Sequence, residues 1–361
     1  MVALHIEHAV PLASYTSLQL GGPAEHFARI EDRAQLMAAL TLARARDLPL
    51  TLLGGGSNVV VSDAGVRGLV LVMATRGVEL LPADPARPAE QLVEAQAGES
   101  WDALVERCVA QDLAGLECLS GIPGTVGAAP LQNIGAYGQE LSDTLRAVEV
   151  LDLESLTTRW LERDACELGY RDSRWKHQPG RELVLAVRLA LQRGGAATLR
   201  YAELQAAVPT AAPSLSQVRS AVLGLRRGKS MLLDPADPNR RSVGSFFMNP
   251  VVSPQLAERV LQVALDAGMI ADAAALPRYP QPDGRLKLSA AWLIERAGIQ
   301  KGERHGAVGV SSRHTLALVH HGGGSSAELL QLAASVQERV HTTFGIELAR
   351  EPVLLGFDVF G

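Results

Sequence analysis

The chain has 361 residues, of which 47% are hydrophobic and 20% are charged, and its formal net charge at pH 7 is −5. This length and apolar content predict a folded protein with two or three domains. With 34 basic and 39 acidic residues, the chain lacks the basic excess that dominates binding to a phosphate backbone. We therefore expect no nucleic-acid partner.

The cysteines favour a reducing compartment. Cys108, Cys118 and Cys166 are odd in number and include no CxxC pair, so neither a disulfide framework nor a cysteine zinc site is predicted. The first twenty residues lack a basic segment followed by a long apolar one, and no apolar run approaches the ~20 residues of a membrane span. We expect a cytoplasmic, soluble protein without a membrane segment.

The first part of the chain predicts alternating helices and strands. "EDRAQLMAALTLARARDLP" has helical spacing, "LTLL" and "GLVLVMA" predict buried strands, and "RPAEQLVEAQAGESW" contains an alternating strand. "SWDALVERCVAQDL" predicts a helix that Ser100 caps, with Asp102 and Glu106 on its exposed face. Together these elements predict a small α/β module.

The rest of the chain predicts further strands and helices. Strands fill the region from "RAVEVLDLESLTTRWL" to "ELVLAVRLALQR", and a Pro- and Ala-rich stretch then opens a helix that ends near Arg226. We place a domain boundary after that helix. Further helices are predicted in "SPQLAERVLQVALDAG", "SAAWLIERAG" and "SSAELLQLAASVQERVHTTFG".

"LGGGSNVVVSD" raises the question of what its three glycines do. Gly54 and Gly56 fit the first two places of a GxGxxG fingerprint, but Val59 stands in the third, so no Rossmann motif is predicted. Two interpretations remain open. One is a structural hairpin turn; the other is a loop whose N–H groups bind a phosphate, helped by Ser57 and Asn58.

"GLRRGKS" resembles a phosphate-binding P-loop only at first sight. Leu223 occupies the place of the first glycine, so the spacing fails. Arg226, Arg227 and Lys229 are then either a solvated helix C-terminus or, for Lys229, a phosphate contact.

The stretch "GLECLSGIPGTVGAAPLQNIGAYGQEL", residues 115–141, has no sustained helical or strand period. A loop of this length in a compact domain is typically functional or disordered, and its interspersed apolar residues argue against disorder. We interpret it as ordered backbone around a large ligand. With the first glycine loop it would form two walls suited to a dinucleotide.

Three other stretches place reactive side chains in constrained settings: "GYRDSRWK", "RSVGSFFMNP" and "LAREPVLLG". Each also has a simpler interpretation. Arg171 could pair with a neighbouring acid, Ser245 could be a turn residue, and Glu351 could be a solvated loop acid. The histidines lack the HExxH spacing of a helical zinc site, and we expect no metal.

Taken together, these motifs resemble the UDP-N-acetylenolpyruvoylglucosamine reductase family, flavoenzymes that complete UDP-N-acetylmuramate in peptidoglycan synthesis. The resemblance runs from "SYTSLQLGGPA" to "REPVLLG", with the motifs in the family's order. It implies an α+β fold: a vanillyl-alcohol-oxidase-type FAD-binding fold of two α/β subdomains, followed by an α+β substrate-binding domain. The implied domains are 1–72, completed by about 345–361, then 73–227 and 228–344.

The resemblance also implies a mechanism and its residues. NADPH reduces the bound FAD, and hydride then passes to C3 of the enolpyruvyl group of UDP-N-acetylglucosamine-enolpyruvate while C2 is protonated. Arg171 matches the catalytic arginine, Ser245 the proton donor and Glu351 the catalytic glutamate. The implied FAD-binding residues are Gly54, Gly55, Gly56, Ser57, Asn58, Ser120, Ile122, Pro123, Gly124, Thr125, Gly127, Ala128, Gln132, Asn133, Gly135, Ala136 and Tyr137. The implied substrate-binding residues are Tyr170, Tyr201, Lys229, Asn249 and Arg304.

Tyr201 in "LRYAEL" resembles the subgroup in which a tyrosine-bearing loop folds over the substrate. Met248 and Arg304 depart from some relatives, which have a basic residue and a glutamine there. Two other hypotheses remain: a sugar or alcohol oxidase of the same flavin fold, and a nucleotide-binding module without catalysis. We expect a monomer that acts in cell-wall biogenesis, cell shape and cell division.

Overall fold

The computed structural model describes residues 4–82, 85–208 and 210–357. The α-helices, in chain order, are α1 (Arg33–Ala45), α2 (Trp101–Ala110), α3 (Arg174–His177), α4 (Ala202–Ala207), α5 (Leu215–Gly228), α6 (Pro254–Asp266), α7 (Ala290–Arg296) and α8 (Ser326–Phe344). The strands are β1 (Glu7–Pro11), β2 (Pro23–Ile30), β3 (Leu50–Leu53), β4 (Val59–Val61), β5 (Val66–Met73), β6 (Val78–Leu80), β7 (Glu90–Gln96), β8 (Leu113–Ala114), β9 (Gly135–Ala136), β10 (Gln139–Glu140), β11 (Leu145–Asp152), β12 (Thr158–Glu162), β13 (Glu182–Arg193), β14 (Val251–Val252), β15 (Arg278–Pro280), β16 (Leu286–Leu288), β17 (Arg304–His305), β18 (Val308–Val310), β19 (Leu318–His320) and β20 (Val353–Leu355).

Side-chain caps explain where the main helices begin. The Asp32 carboxylate accepts the Gln35 N–H ahead of α1, and the Ser100 hydroxyl accepts the Ala103 N–H ahead of α2. Such caps satisfy N–H groups that the helix itself leaves unpaired. The helices predicted at α1, α2, α6, α7 and α8 are confirmed, as is the Ser100 cap, and α5 ends two residues beyond the predicted Arg226.

The chain divides into two compact units, each built from several segments. The first contains Met1–Val10, Ala24–Gly56 and Arg67–Leu232, and the second contains Pro11–Pro23, Ser57–Val66 and Leu233–Gly361. The three-domain division expected from the sequence stays a prediction.

The first unit contains two main sheets. One has the order β1-β2-β5-β3, and its apolar face packs with α1 in a core that includes Leu40 and Leu71. The other has the order β12-β11-β13-β7-β6, with β8 also paired to β13, and all of its pairs are antiparallel. Its core contains Trp101 of α2 and reaches Val126 and Ile134 in the long glycine-rich segment.

The second unit packs α6, α7 and α8 with short sheets around one core. Its sheets have the orders β14-β16-β15 and β17-β18-β19, and β4 pairs in parallel with β20. Because β3 pairs with β5 whereas β4 pairs with β20, the glycines between β3 and β4 do not close a hairpin. The hairpin interpretation of "GGGSN" is therefore wrong.

Within the ranges that the structure describes, no helix combines the length and apolar character needed to cross a bilayer.

Candidate active site

The two glycine-rich segments of the first unit pack directly on each other. A Cβ added to Gly55 would lie 2.6 Å from the Cα of Gly124, and one added to Gly54 would lie 3.0 Å from the Oγ1 of Thr125 and 3.1 Å from the Cβ of Ala128. The backbones approach too closely for a side chain at Gly55. The two glycine-rich segments that the sequence predicts as walls of a ligand site are therefore neighbours. The close packing of the two loops explains why residue 55 is a glycine.

The beginning of α2 holds the second glycine-rich segment in place. The Trp101 backbone N–H donates to the carbonyl of Gly124 (3.1 Å), and its indole Nε1 donates to the carbonyl of Leu119 (3.2 Å). The Gly127 N–H donates to the carbonyl of Ala97 (2.9 Å), where an added Cβ would lie 2.6 Å from the Ala97 Cβ. These contacts fix the path of a segment whose regular structure is limited to short 3-10 turns and the β9–β10 pair.

Asp102 is partly exposed, with 36% of its side chain accessible, and it makes contacts that the sequence did not predict. Its Oδ1 accepts the Gly121 N–H at 2.6 Å and Nη1 of Arg219 at 2.6 Å. Glu106, one turn further along α2, does lie on the exposed face, with 71% of its side chain accessible. The sequence pattern could not reveal the difference, because Arg219 lies on another helix, 117 residues away.

Arg171 reaches into the second glycine-rich segment. Its Nη2 donates to the carbonyl of Gly135 (2.8 Å) and its Nη1 to the carbonyl of Asn133 (3.4 Å). The backbone of Arg171 has φ +53°, a left-handed conformation that few non-glycine residues adopt. Lys176 Nζ donates to the Arg171 carbonyl at 2.6 Å and helps to hold this turn.

Asn133 joins the same turn to the segment. It is 1% exposed and has φ +42°. Its Nδ2 donates to the carboxylate of Glu140 and to the carbonyl of Gly169, both at 2.9 Å, and its Oδ1 accepts the Ser142 N–H at 3.0 Å. Its amide therefore connects residues 133–142 to the turn at Gly169. Tyr170, in that turn, has its ring 5.9 Å from the Arg171 guanidinium carbon.

Tyr201 and Lys229, two predicted substrate residues, lie together around Tyr137. The rings of Tyr137 and Tyr201 meet edge-on with centroids 5.8 Å apart, and Lys229 Nζ lies 5.7 Å from the Tyr137 centroid. Lys229 Nζ also donates to the carboxylate of Glu203 at 2.5 Å. Burial raises the pKa of Tyr137 to about 12, so the phenol stays protonated at neutral pH.

Arg226 is partly buried, not freely solvated, which corrects one of the two interpretations of the basic cluster. Its Nη2 donates to the carbonyl of Met231 (2.8 Å), whereas its buried Nε has no hydrogen-bond partner among the described residues. A Cβ on Gly121 would lie 3.2 Å from that Nε. Burial, opposed by the nearby Tyr137 and Asp102, lowers the pKa of Arg226.

An unpartnered, desolvated donor in a cationic side chain favours an anionic ligand beside it. The glycine-rich segments and Arg226 therefore fit a cofactor with a diphosphate.

In the second unit, Ser245 and Glu351 lie on paired segments. The Glu351 N–H donates to the carbonyl of Phe246 (3.0 Å), and Phe247 forms an antiparallel bridge with Arg350. Phe246 and Phe247 are 0% and 1% exposed, so they anchor the segment that follows Ser245. Asn58 Nδ2 donates to the Glu351 carbonyl at 3.3 Å, and Asn58 therefore belongs to this arrangement.

The second unit also contains two predicted substrate-binding residues, Asn249 and Arg304. Asn249 Oδ1 accepts the Ala290 N–H at 2.9 Å and thereby contacts the beginning of α7. Arg304 is exposed on β17, where it pairs with Gly309 of β18. Their roles in substrate binding stay predictions. No cluster of three or more His, Cys, Asp or Glu side chains suited to a metal ion occurs in the part of the chain that the structure describes.

Comparisons with known proteins identify the family. Residues 24–159 match the model of the FAD binding domain, and residues 235–355 match the model of the UDP-N-acetylenolpyruvoylglucosamine reductase C-terminal domain. The chain is 44% identical over 351 residues to UDP-N-acetylenolpyruvoylglucosamine reductase of Thermobifida fusca, covering 96% of this chain and 97% of that one. It is 43% identical to the reductase of Pseudomonas aeruginosa, covering 98% of this chain and 100% of that one.

A solved structure shares the fold over the whole chain. The crystal structure of UDP-N-acetylenolpyruvylglucosamine reductase from Thermus caldophilus aligns with a TM-score of 0.65 and 26% identity, covering 98% of this chain and 100% of that one. The fold and the two glycine-rich segments define an FAD-binding oxidoreductase of mixed α+β class, as predicted. More particularly, the chain belongs to the UDP-N-acetylenolpyruvoylglucosamine reductase family.

Proposed function

We propose that this protein reduces the enolpyruvyl group of UDP-N-acetylglucosamine-enolpyruvate to UDP-N-acetylmuramate in peptidoglycan synthesis, with FAD bound and NADPH as electron donor. Family membership supports the reaction. The chemistry that FAD supplies when bound is the transfer of a hydride, received from NADPH and passed to C3 of the enolpyruvyl group. The residues that would hold it are the predicted set in 54–58 and 120–137.

One observation carries the proposal: the Arg171 guanidinium is fixed on the segment predicted to line the flavin. Two carbonyls, of Asn133 and Gly135, receive its N–H groups, while its backbone is held in a left-handed turn. An arginine stays charged at every physiological pH. Donors fixed in advance stabilise developing negative charge more effectively than mobile ones. We assign to Arg171 the stabilisation of the charge that grows on the substrate carboxylate.

The charges around Tyr137 suit the substrate diphosphate. Lys229 Nζ lies 5.7 Å from the centroid of the Tyr137 ring. Arginine and lysine side chains are the usual partners of phosphate oxygens. Tyr201 is 41% exposed, and we propose that it closes over the bound substrate, as in the tyrosine-loop subgroup.

In the second unit we propose that Ser245 donates the proton to C2 and that Glu351 polarises the substrate carboxylate. The backbone pairing of Phe246 with Glu351 supports the assignment, because it keeps the two residues on adjoining segments. A serine hydroxyl is a weak acid, so it can act only towards a strongly basic, carbanion-like centre with a relay that restores its proton.

The assembly and location of the protein are also proposals. We propose that the protein is a monomer. We propose that it works in the cytoplasm, because its substrate and NADPH are soluble nucleotides, and that it contributes to cell shape and division through the cell wall. The net charge of −5 supports the absence of a nucleic-acid partner.

The direct test is NADPH oxidation that depends on UDP-N-acetylglucosamine-enolpyruvate, with the product identified by mass. Arg171→Gln should lower kcat by at least about a hundredfold, the usual cost of losing one fixed donor to developing charge. Arg163→Gln removes an exposed arginine nearby and serves as the matched control. Turnover by Arg171→Gln within a few-fold of wild type would contradict the assigned role, and no substrate-dependent oxidation by wild type would contradict the proposed function.

A further inference from the structure

Asp102 connects three parts of the first unit through one carboxylate. Its Oδ1 accepts the Gly121 N–H (2.6 Å) and Nη1 of Arg219 (2.6 Å), while its Oδ2 accepts Nη2 of Arg219 (3.0 Å). Both oxygens are thus occupied, and the pair is bidentate. The Arg219 side chain is 11% exposed and that of Asp102 is 36% exposed, so water screens the arginine's side of this contact less than it screens a surface ion pair.

The Gly121 N–H that Asp102 accepts belongs to a turn that only glycine can occupy without strain. Gly121 has φ +72°, and a Cβ there would lie 2.5 Å from Leu232 Cδ2 and 2.8 Å from Leu223 Cδ2. Leu223 belongs to α5, four residues after Arg219, so both side chains lie on the same face of that helix. Asp102 therefore contacts the Gly121 turn directly. Through Arg219 it also contacts the face of α5 that packs against this turn.

The same helix face carries Arg226, seven residues after Arg219. Arg226 has a buried Nε without a hydrogen-bond partner among the described residues, next to Gly121. Burial and the nearby charge of Arg171 both disfavour the charged form of Arg226, whereas the Asp102 carboxylate favours it. Burial of Asp102 works against ionisation, but Arg219 and the Gly121 N–H outweigh burial and lower the pKa of Asp102. The carboxylate is therefore charged at neutral pH.

We propose that Asp102 is a positioning residue for the cofactor and substrate site, acting through the Gly121 turn and through Arg219 on the face of α5 that carries Arg226. The inference rests on the proposed function, because it takes the segment around Gly121 to be a wall of the flavin site. It assigns a role to a residue in the first turn of α2, outside the predicted site residues.

The test compares three variants of the FAD-loaded protein. Asp102→Ala removes both contacts, Asp102→Asn keeps an acceptor oxygen but loses the charge, and Glu106→Gln is the matched control. Glu106 lies on the same helix and approaches the same arginine at 3.8 Å. The readouts are the FAD dissociation constant, KM and kcat for the sugar nucleotide, and the thermal midpoint.

We expect Asp102→Ala to weaken FAD binding about tenfold to a hundredfold, the scale of losing charge-assisted hydrogen bonds, and to raise KM. Asp102→Asn should have a smaller effect in the same direction, and Glu106→Gln should stay within about twofold of wild type. The isosteric Asp102→Asn variant keeps the test valid if Asp102→Ala does not fold.

A purely structural role would lower the thermal midpoint of the Asp102 variants while leaving the FAD dissociation constant and KM unchanged. That result would overturn the inference, and so would equal effects of Asp102→Asn and Glu106→Gln. Neither of these two results would contradict the proposed function, because the FAD content and turnover of the wild-type protein test that function separately. A wild-type protein that binds no FAD would overturn both proposals.

Discussion

Replacing Gly55 by Ala tests the packing of the two glycine-rich segments with a single methyl group. The new Cβ would lie 2.6 Å from the Cα of Gly124, whereas ordinary contact begins at 3.4 Å. The segments must therefore separate by about 0.8 Å, the difference between these distances, and the neighbour is backbone that has no rotamer to change. Overpacking of this kind costs about 1–3 kcal/mol.

Because both segments carry predicted FAD-binding residues, we expect this cost to appear in FAD binding. A factor of ten corresponds to about 1.4 kcal/mol, so FAD should bind about fivefold to a hundredfold more weakly. Equilibrium titration followed by flavin fluorescence measures the effect. Gly224→Ala is the control, because a Cβ there meets no atom within 4 Å. Wild-type FAD affinity in Gly55→Ala would refute the proposed role of the paired segments.

Three further predictions concern other parts of the chain. Ser245→Ala should leave flavin reduction by NADPH near the wild-type rate in anaerobic stopped flow but slow reoxidation by substrate about a hundredfold; an unchanged second step would exclude Ser245 as proton donor. Glu203→Gln should lower KM for the sugar nucleotide a few-fold, because it frees Lys229 from a half-exposed ion pair worth up to about 1 kcal/mol; a raised KM would show that Glu203 instead positions Lys229. His320 accepts the Gly324 N–H at Nε2, and burial lowers its pKa, so the unfolded chain binds its proton more readily. Stability should therefore fall as pH drops from about 6.5 through the lowered folded pKa, and urea unfolding of His320→Gln should show a weaker pH dependence.

The sequence predicted the helices well because apolar spacing and capping residues are local features, separated by only a few residues. α8 follows its apolar spacing, and Ser325 with Glu328 forms the capping box at its beginning. The role of "GGGSN" was harder to settle, since a glycine run fits both a hairpin and a ligand loop. The answer depended on β4 pairing with β20, a contact between distant segments that no local pattern encodes.

The candidate site shows the same limit. The motif order predicted the catalytic and cofactor residues by family resemblance, and the structure locates Arg171 on the glycine-rich segment. The contacts of Asp102 and Arg226 were missed because Asp102 was placed on the exposed face of a helix and Arg226 at a solvated helix end, where charged side chains are usually exposed. Their partners, Arg219 and the Gly121 turn, become visible only when α2 and α5 are placed together.

One measurement tests the central claim most directly: an anaerobic single-turnover experiment on the purified protein. NADPH should bleach the visible absorbance of the bound flavin, and UDP-N-acetylglucosamine-enolpyruvate should then restore it without oxygen, yielding one UDP-N-acetylmuramate per flavin. The alternative of a sugar or alcohol oxidase makes the opposite prediction. If the absorbance returns only when oxygen is admitted, or if the protein carries no flavin, the proposed function is contradicted.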